Sequence, residues 1–346
     1  MTTVTTVTPV TAPSTMRALV FDHAAPDTRA TRVATLPAPR PGPGAVAIGV
    51  RFAGVNFKDV MARRGDPGYA PGWPFVPGLE VVGTVLAVGA GVTSTAVGRQ
   101  VVALTNAGGL AEVAVADAAL TVPVPAGLDL RTAAAAPGAP TTAALLLDAV
   151  GRVRAGDAVL VHSAAGAVGR ALAQTARRRG VRRLVGAVGS PARVAAARRA
   201  GYDEVVLRTD GLVAAVRAVE PGGVDLVLDP QGTTLLAEDM EVLAPAGRVV
   251  VFGNAGGTAA APLPPLGRLF AGNAAVGAFS LEALSRTAPH VVAAALAGVL
   301  DDLAARRLDL AVTEVAGLDR VAAAQQALAD GTGTGKYVVD VRAFPS

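Results

Sequence analysis

From residue 16 to about 130, short apolar runs alternate with breaks rich in glycine and proline. Met16–Phe21, Ala45–Phe52, Gly83–Val88 and Gln100–Leu104 are such runs, and Pro41-Gly42-Pro43-Gly44 is one of the breaks. Apolar runs of this length bounded by turn residues predict strands, and a series of them predicts a compact β-rich domain of barrel type. Residues 131–155 are rich in Ala and Leu and predict helix as far as Gly156-Asp157. Beyond that point the texture changes. Ala158–His162 is an apolar strand, Ser163–Gly169 a small-residue loop, and Arg170–Arg179 a helix closed by Gly180. Strands at 183–188, 204–207, 225–229 and 248–252 alternate with helices at 191–200, 210–219 and 233–243, and a further strand falls near 274–279. Strands alternating with helices predict a parallel sheet covered on both faces. The rest of the chain carries one or two helices and a closing strand, Tyr337–Val341, and there is no internal repeat.

The chain has 346 residues, and at roughly 150 residues per domain this predicts two domains, each able to bury a core. It contains no cysteine, which excludes disulfides, thiolate zinc sites, iron–sulfur clusters and a cysteine nucleophile. Three scattered histidines argue against a histidine metal cluster, so no metal is expected. The net charge is only +4, and the basic residues are dispersed except for Arg177–Arg179 and the pair Arg182 and Arg183. Without a basic stripe interleaved with aromatics, a nucleic-acid partner is not expected. Half the residues are apolar, yet the most apolar stretches, such as 291–300, fall short of the roughly 20 residues a span needs. The first fifteen residues, MTTVTTVTPVTAPST, have neither a basic n-region nor a long apolar h-region. They do not read as a signal peptide but as a disordered tail, 1–15, ahead of a domain starting at Met16. The expectation is a soluble cytoplasmic protein that binds a small-molecule substrate and neither nucleic acid nor membrane.

The loop Ala164-Ala165-Gly166-Ala167-Val168-Gly169 follows a predicted strand and opens a helix. That is the setting of the dinucleotide fingerprint G-x-G-x-x-G, here with Ala164 in place of the first glycine. Gly166 lets backbone approach a pyrophosphate, Gly169 lets the helix pack close to the sheet, and the helix N-terminus supplies N–H groups for phosphate. Ala165, Gly166, Ala167 and Val168 are therefore cofactor-binding candidates. An NAD-specific site places a carboxylate about 20 residues later. Here the chain reads Gly186-Ala187-Val188-Gly189-Ser190-Pro191-Ala192-Arg193, with no carboxylate. Gly189, Ser190 and Arg193, with Arg208 at the end of the next strand, favour a 2′-phosphate and hence NADPH over NADH. Either arginine is alternatively an ordinary solvated side chain.

With these residues in view, the chain resembles the zinc-independent quinone oxidoreductase and enoyl reductase branch of the medium-chain dehydrogenase/reductase superfamily. The likeness runs from Met16 to the C-terminus. It is carried by Gly54-Val55-Asn56-Phe57-Lys58-Asp59, Val76-Pro77-Gly78-Leu79-Glu80, Val161–Gly169, Val227-Leu228-Asp229, Gly247–Asn254 and Gly335-Lys336. It implies an α/β fold: a Rossmann doubly wound parallel sheet domain over 136–279, plus a β-rich GroES-like barrel domain made of 16–135 and 280–346. It also implies a homodimer formed through the edge strand near Ala274–Phe279. Zinc-dependent relatives carry a metal-binding Cys and a Gly-His-Glu, where this chain has Asn56 and Leu79, neither of which supplies those ligands.

The chemistry implied is hydride addition from NADPH to an activated C=C bond or a quinone, with hydrogen-bond donors stabilising the charge that develops on the carbonyl oxygen. By the resemblance, Asn56 lies beside the nicotinamide and donates its amide to substrate or carboxamide; otherwise it is a turn Asn. Thr142 matches a family threonine near the nicotinamide, or is a helix-interior Thr. Phe252, Gly253 and Asn254, at a strand's carboxyl end, match a cofactor contact, with a helix cap as the alternative for Asn254. Tyr69, in the Gly- and Pro-rich loop Gly65–Pro74, is a candidate proton donor, with bulk water or a merely packed Tyr as alternatives. Asp59 is expected to be structural, His162 a buried histidine bonded to backbone, Trp73 pocket-lining or packed, and Lys336 without chemistry.

Two other functions stay open. One is a dinucleotide-binding protein with a structural role; the other is a cyclase- or dehydratase-like enzyme with no net reduction. High Ala, Gly and Arg with almost no Lys matches a GC-rich bacterial gene, and by association a substrate in secondary metabolism.

Overall fold

The structure, a computed structural model, describes residues 13–258, 261–333 and 335–342. Most of the expected tail, residues 1–12, lies outside the described residues, and Thr15 already opens the first strand. In chain order the strands begin with β1 (Thr15–Phe21), β2 (Thr31–Pro37), β3 (Ala45–Gly54), β4 (Glu80–Val88), β5 (Gln100–Leu104), β6 (Val113–Asp117) and β7 (Thr121–Pro123). Then come β8 (Ala158–His162), β9 (Arg183–Val188), β10 (Glu204–Leu207), β11 (Val224–Asp229), β12 (Leu243–Val251) and β13 (Ala275–Ala278), followed by β14 (Val312–Ala316) and β15 (Lys336–Asp340).

Two units are formed. The β-rich unit holds the described residues up to Ala135, Val312–Gly333 and those from Tyr337 onward; the other holds Ala136–Ala311 with Gly335 and Lys336. In the β-rich unit, β3 pairs antiparallel with β4, β6 and β15, and the sheet continues in the order β14-β15-β3-β4-β5-β7. Register shifts at Ala47/Ile48 and Val50/Phe52 bend β3, as bulges do, so that one strand serves three neighbours. The antiparallel ribbon β1–β2 closes over a core that includes Leu19, Phe21, Ile48, Val50, Val81, Val101 and Leu110.

In the second unit, six parallel strands take the order β10-β9-β8-β11-β12-β13. Strand order reverses between β8 and β11, the point where open α/β sheets bind ligands at the carboxyl ends. Strand β8 is buried at every residue, as expected of a strand covered on both faces. On one face Val159, Val161, Leu184 and Leu228 pack with Ala171 and Leu172 of the helix Ala167–Arg178. On the other, Leu160, Val185 and Val227 pack with the helices Leu212–Val219 and Leu236–Glu241.

Three expectations change. The helix predicted over 131–155 is broken into Leu130–Ala134, Ala139–Leu145 and a wide turn at Leu146–Val150. Pro140 accounts for the break: it sits in the first turn of Ala139–Leu145, where its missing N–H leaves no bond unmade. The helix after the glycine loop starts at Ala167 rather than Arg170. Residues 280–311, expected with the barrel, stay with the parallel-sheet unit. There the helix Pro289–Ala304 buries Val292, Leu296, Val299 and Leu300 and packs on Ala139–Leu145. An Ala/Val helix of this kind suits either core, so its periodicity does not say which. Among the described residues no single helix is long and apolar enough to cross a membrane. The adjacent pair Leu281–Thr287 and Pro289–Ala304 reaches that length only together and is bent by 119°.

Leu296 is fully buried. Leu296→Ala is expected to lower unfolding free energy by about 2–5 kcal/mol, the usual cost of emptying a core leucine site. A denaturant midpoint measured on the purified variant checks this.

Candidate active site

The loop after β8 is shaped by close approach. Ser163 takes a left-handed backbone (φ 54°), and Ala164 is fully buried. A Cβ on Gly186 of β9 would lie 2.8 Å from the Ala164 methyl, so the alanine that replaces the fingerprint's first glycine is accommodated by a glycine on the neighbouring strand. A Cβ at Gly169 would lie 2.6 Å from the Ala164 carbonyl oxygen and 2.7 Å from that of Ser163, so helix and loop touch backbone to backbone there. The buried Tyr202 hydroxyl donates to the Gly169 carbonyl at 2.7 Å, and burial pushes its phenol pKa up. Gly166 is the N-cap and offers no side-chain acceptor. The first N–H groups of the helix therefore remain available to an anion at its positive end.

Beside this loop, β9 ends in Val188 and is followed by Gly189 and Ser190, with no carboxylate. The Arg208 guanidinium lies across Gly189, where a Cβ would meet its Nη2 at 2.7 Å. Its Nη1 is buried and has no hydrogen-bond partner among the described residues, and burial lowers its pKa. Arg193 is half-buried at the end of the turn Pro191–Arg193, its N–H donating to Ser190 O at 3.1 Å. This donor set suits a phosphate and has no carboxylate to accept from a ribose diol. After β12, Phe252 packs against the layer containing Val161 and Leu228, and its N–H donates to Asp229 O at 2.8 Å. Gly253 is held against Pro230, whose carbonyl oxygen would lie 2.8 Å from a Cβ there. Asn254 is not a helix cap: its Nδ2 donates to Thr258 O at 2.9 Å within its own loop.

His162 departs from expectation. It is bonded to a side chain, its Nε2–H donating to Asp239 Oδ1 at 2.8 Å with both side chains fully buried. Next to it lies Asp229, whose carboxyl is pushed up to about 6 chiefly by burial. His162 opposes that shift and Asp239 adds to it, while the Gln231 N–H and Arg208 oppose it further. The Gln231 N–H donates to Asp229 Oδ1 at 2.7 Å, and its Nε2 donates to Ser163 Oγ at 2.7 Å, tying the end of β11 to the glycine loop. Asp239 and Gln231 went unnoticed in the sequence. The only available signal was Asp229 itself, a carboxylate ending an apolar strand.

In the β-rich unit, Asn56 precedes the helix Phe57–Arg64. Its amide turns inward instead of outward, Nδ2 donating to Glu80 Oε1 at 2.8 Å and to Gly54 O at 3.3 Å. Glu80 is fully buried, and a Cβ on Gly54 would lie 2.2 Å from its Oε1. Asp59 accepts from the Asn56 N–H at 2.8 Å and from the Gly78 N–H at 3.1 Å. Lys58 Nζ donates to Asn106 O at 3.0 Å. Tyr69 is half-buried and packs on the barrel core, and Trp73 meets Phe75 edge-on with ring centroids 6.4 Å apart. Thr142 belongs to the parallel-sheet unit, buried on the helix Ala139–Leu145, its N–H donating to Gly138 O at 3.0 Å. Leu79 is buried and apolar. Among the described residues no group of three or more His, Asp or Glu is placed to hold a metal ion.

Two family models match the chain: the alcohol dehydrogenase GroES-like domain over residues 42–126 and the zinc-binding dehydrogenase over 167–297. The quinone oxidoreductase of Thermus thermophilus, solved alone and with NADPH, is 34% identical with a TM-score of 0.76; the alignment covers 93% of this chain and 99% of that one. The mouse quinone oxidoreductase-like protein 2 is 35% identical over 64% of this chain, a match that spans 65% of the mouse protein's length. A pikromycin polyketide synthase component of Streptomyces venezuelae is 37% identical over 63% of this chain, which is 6% of that protein.

Asp59→Ala leaves the Asn56 and Gly78 N–H groups without their acceptor. The expected loss is about 1–3 kcal/mol for each one left buried, read as a lower urea midpoint than that of the unaltered chain.

Proposed function

The chain belongs to the zinc-independent quinone oxidoreductase branch of the medium-chain dehydrogenase/reductase superfamily, and from that premise we propose that it is an NADPH-dependent reductase of activated C=C bonds or quinones. The observation that carries this reading is the buried, unpartnered guanidinium nitrogen of Arg208, which follows β10 and lies over Gly189 at the end of the carboxylate-free strand β9, beside a glycine loop opening a helix. The NADPH complex of the Thermus relative supports it. When bound, NADPH supplies the hydride from nicotinamide C4. The loop residues Ala165 and Gly166 with the N–H groups of Ala167 and Val168 hold the pyrophosphate, Gly189 lets the Arg208 guanidinium lie close to the end of β9, and Ser190, Arg193 and Arg208 hold the 2′-phosphate. Phe252, Gly253 and Asn254 line the cofactor. Thr142 orients the nicotinamide, and Asn56, its amide fixed by Glu80, lies beside it. Tyr69 supplies the proton. An enoyl thioester is the favoured acceptor class, supported by the likeness to the polyketide synthase component.

A homodimer is part of the same reading. Strand β13 is the sheet edge, and beside it Leu263, Leu266 and Phe270 are 68%, 65% and 72% exposed. A second copy laid along that edge pairs β13 with its counterpart and removes these side chains from water.

Fluorescence titration with NADPH and NADH tests the cofactor reading. The unaltered chain is expected to prefer NADPH. Arg208→Ala and Arg193→Ala each weaken NADPH binding by roughly 10- to 100-fold, the worth of one charge-assisted phosphate contact, and leave NADH unchanged. NADPH consumption with quinones, enones and enoyl thioesters then identifies the acceptor. Equal affinity for the two cofactors would overturn the reading, and product formation without NADPH consumption would move it to non-redox chemistry. For the dimer, Phe270→Asp combined with Leu266→Asp is expected to give a monomer in sedimentation velocity.

A further inference from the structure

Side chains alternate across a strand, and here that alternation aligns four positions. Leu160 of β8, Val185 and Ala187 of β9, Val206 of β10 and Val227 of β11 all enter the same core layer. Two residues further along, or at the next step of the same alternation, His162, Gly189, Arg208 and Asp229 continue that face at the carboxyl edge. Register places them in two pairs. Leu207 stands opposite Val188, which brings Arg208 beside Gly189, and Val161 stands opposite Leu228, which brings His162 beside Asp229. Gly189 has no side chain to separate the pairs, and the Arg208 guanidinium occupies that gap. Asp239 comes up from the helix Leu236–Glu241 that covers this face and bonds His162. On the remaining side β12 presents Val251, which is not titratable.

One guanidinium, one imidazole and two carboxylates thus share a strip that an apolar layer would otherwise fill. Arg208 Nη1, His162 Nδ1, Asp229 Oδ2 and Asp239 Oδ2 are all buried without a hydrogen-bond partner among the described residues. Buried charges that are incompletely paired respond strongly to any charge added nearby.

We propose that Asp229 is a positioning residue for the 2′-phosphate, coupling its capture by Arg208 to uptake of a proton at the Asp229 carboxyl, which His162 and Asp239 flank. This rests on the NADPH reading above. The physical chain is short. Free of ligand, the Arg208 charge favours the ionised Asp229. A phosphate on the guanidinium takes up that charge and adds negative charge beside the carboxylates. The Asp229 carboxyl, already raised to about 6, is raised further in the complex. The sign follows from linkage: a group whose pKa is higher in the complex favours binding while it is protonated. NADPH affinity is therefore greatest below the free-state value and falls as pH climbs through the window from about 6 upward. NADH carries no 2′-phosphate and escapes the coupling.

Titration calorimetry of the full chain near pH 6.5, in buffers of different ionisation heat, counts the protons exchanged. The unaltered chain is expected to take up about half a proton with NADPH and close to none with NADH. Ionisation of the phosphate itself, with a second pKa near 6, releases protons on binding a guanidinium and offsets part of the uptake, so the uptake is read as the difference between the NADPH proton counts of the unaltered chain and Asp229→Asn. In Asp229→Asn the uptake disappears, and NADPH affinity loses its fall of roughly 5- to 10-fold between about pH 6 and 7.5. His162→Gln is expected to change the proton count while retaining NADPH preference, an outcome that a purely structural role for the cluster does not produce. If Asp229→Asn does not fold, the NADPH–NADH difference in the unaltered chain decides the matter. NADPH preference without proton uptake, or uptake that persists in Asp229→Asn, would overturn the coupling and leave the cofactor reading standing. Equal binding of the two cofactors would remove both.

Discussion

The helix Ala167–Arg178 approaches the end of β8 so closely that position 169 has no room for a side chain, and the site in the parallel-sheet unit follows from that contact. Backbone packing on backbone brings the positive end of the helix to the point where the strand order reverses. It also buries Ala164 against Gly186, so the loop is located from two strands at once. Gln231 adds a third tie through Ser163. The loop adds ties of its own, the Gly166 N–H donating to Ser163 O at 2.9 Å and the Ala164 N–H to Ala187 O at 3.2 Å, and together they hold the first N–H groups of the helix in place for an anion.

The same edge carries an unusual share of buried charge. A parallel sheet covered on both faces normally fills its inner surface with Val, Ile and Leu, and Leu160, Val185 and Val227 do so here up to the carboxyl edge. There the apolar layer gives way to His162, Asp229 and Asp239, with Arg208 reaching in over Gly189. Burial of ionisable groups is costly, and it recurs where proteins tune affinity or proton transfer. The β-rich unit shows a parallel case: Glu80 is fully buried against Asn56, and Asp59 satisfies two backbone N–H groups around it. Both clusters involve residues of the motifs that carry the family resemblance, Asn56, Asp59 and Glu80 in one and His162 and Asp229 in the other.

Much of the architecture was legible from local pattern. The strands at 183–188 and 204–207 match β9 and β10 residue for residue, because each is a short apolar run between clear turn residues. The glycine loop and the absence of a carboxylate after β9 were equally plain. Long-range pairing was not. His162 meets Asp239 across 77 positions of sequence, and neither residue carries a periodic signal pointing to the other. The bond from Asn56 to Glu80 was not legible either, because the two lie on different elements that meet only once β3 and β4 are paired. The helix Pro289–Ala304 was placed with the wrong core because its Ala- and Val-rich faces match either one. The helix after the loop was started three residues late because Ala167 and Val168 look the same in a loop as in a first turn.

The central claim is that Arg208, following β10, is held over Gly189 for the 2′-phosphate of NADPH. A crystal structure of the chain with NADPH tests it most directly. The account predicts a 2′-phosphate oxygen within about 3 Å of the Arg208 guanidinium, at charge-assisted hydrogen-bond distance, with the pyrophosphate at the N–H groups of Ala165–Val168. A 2′-phosphate bound elsewhere, with Arg208 left folded over Gly189 toward the carboxylates, would contradict it.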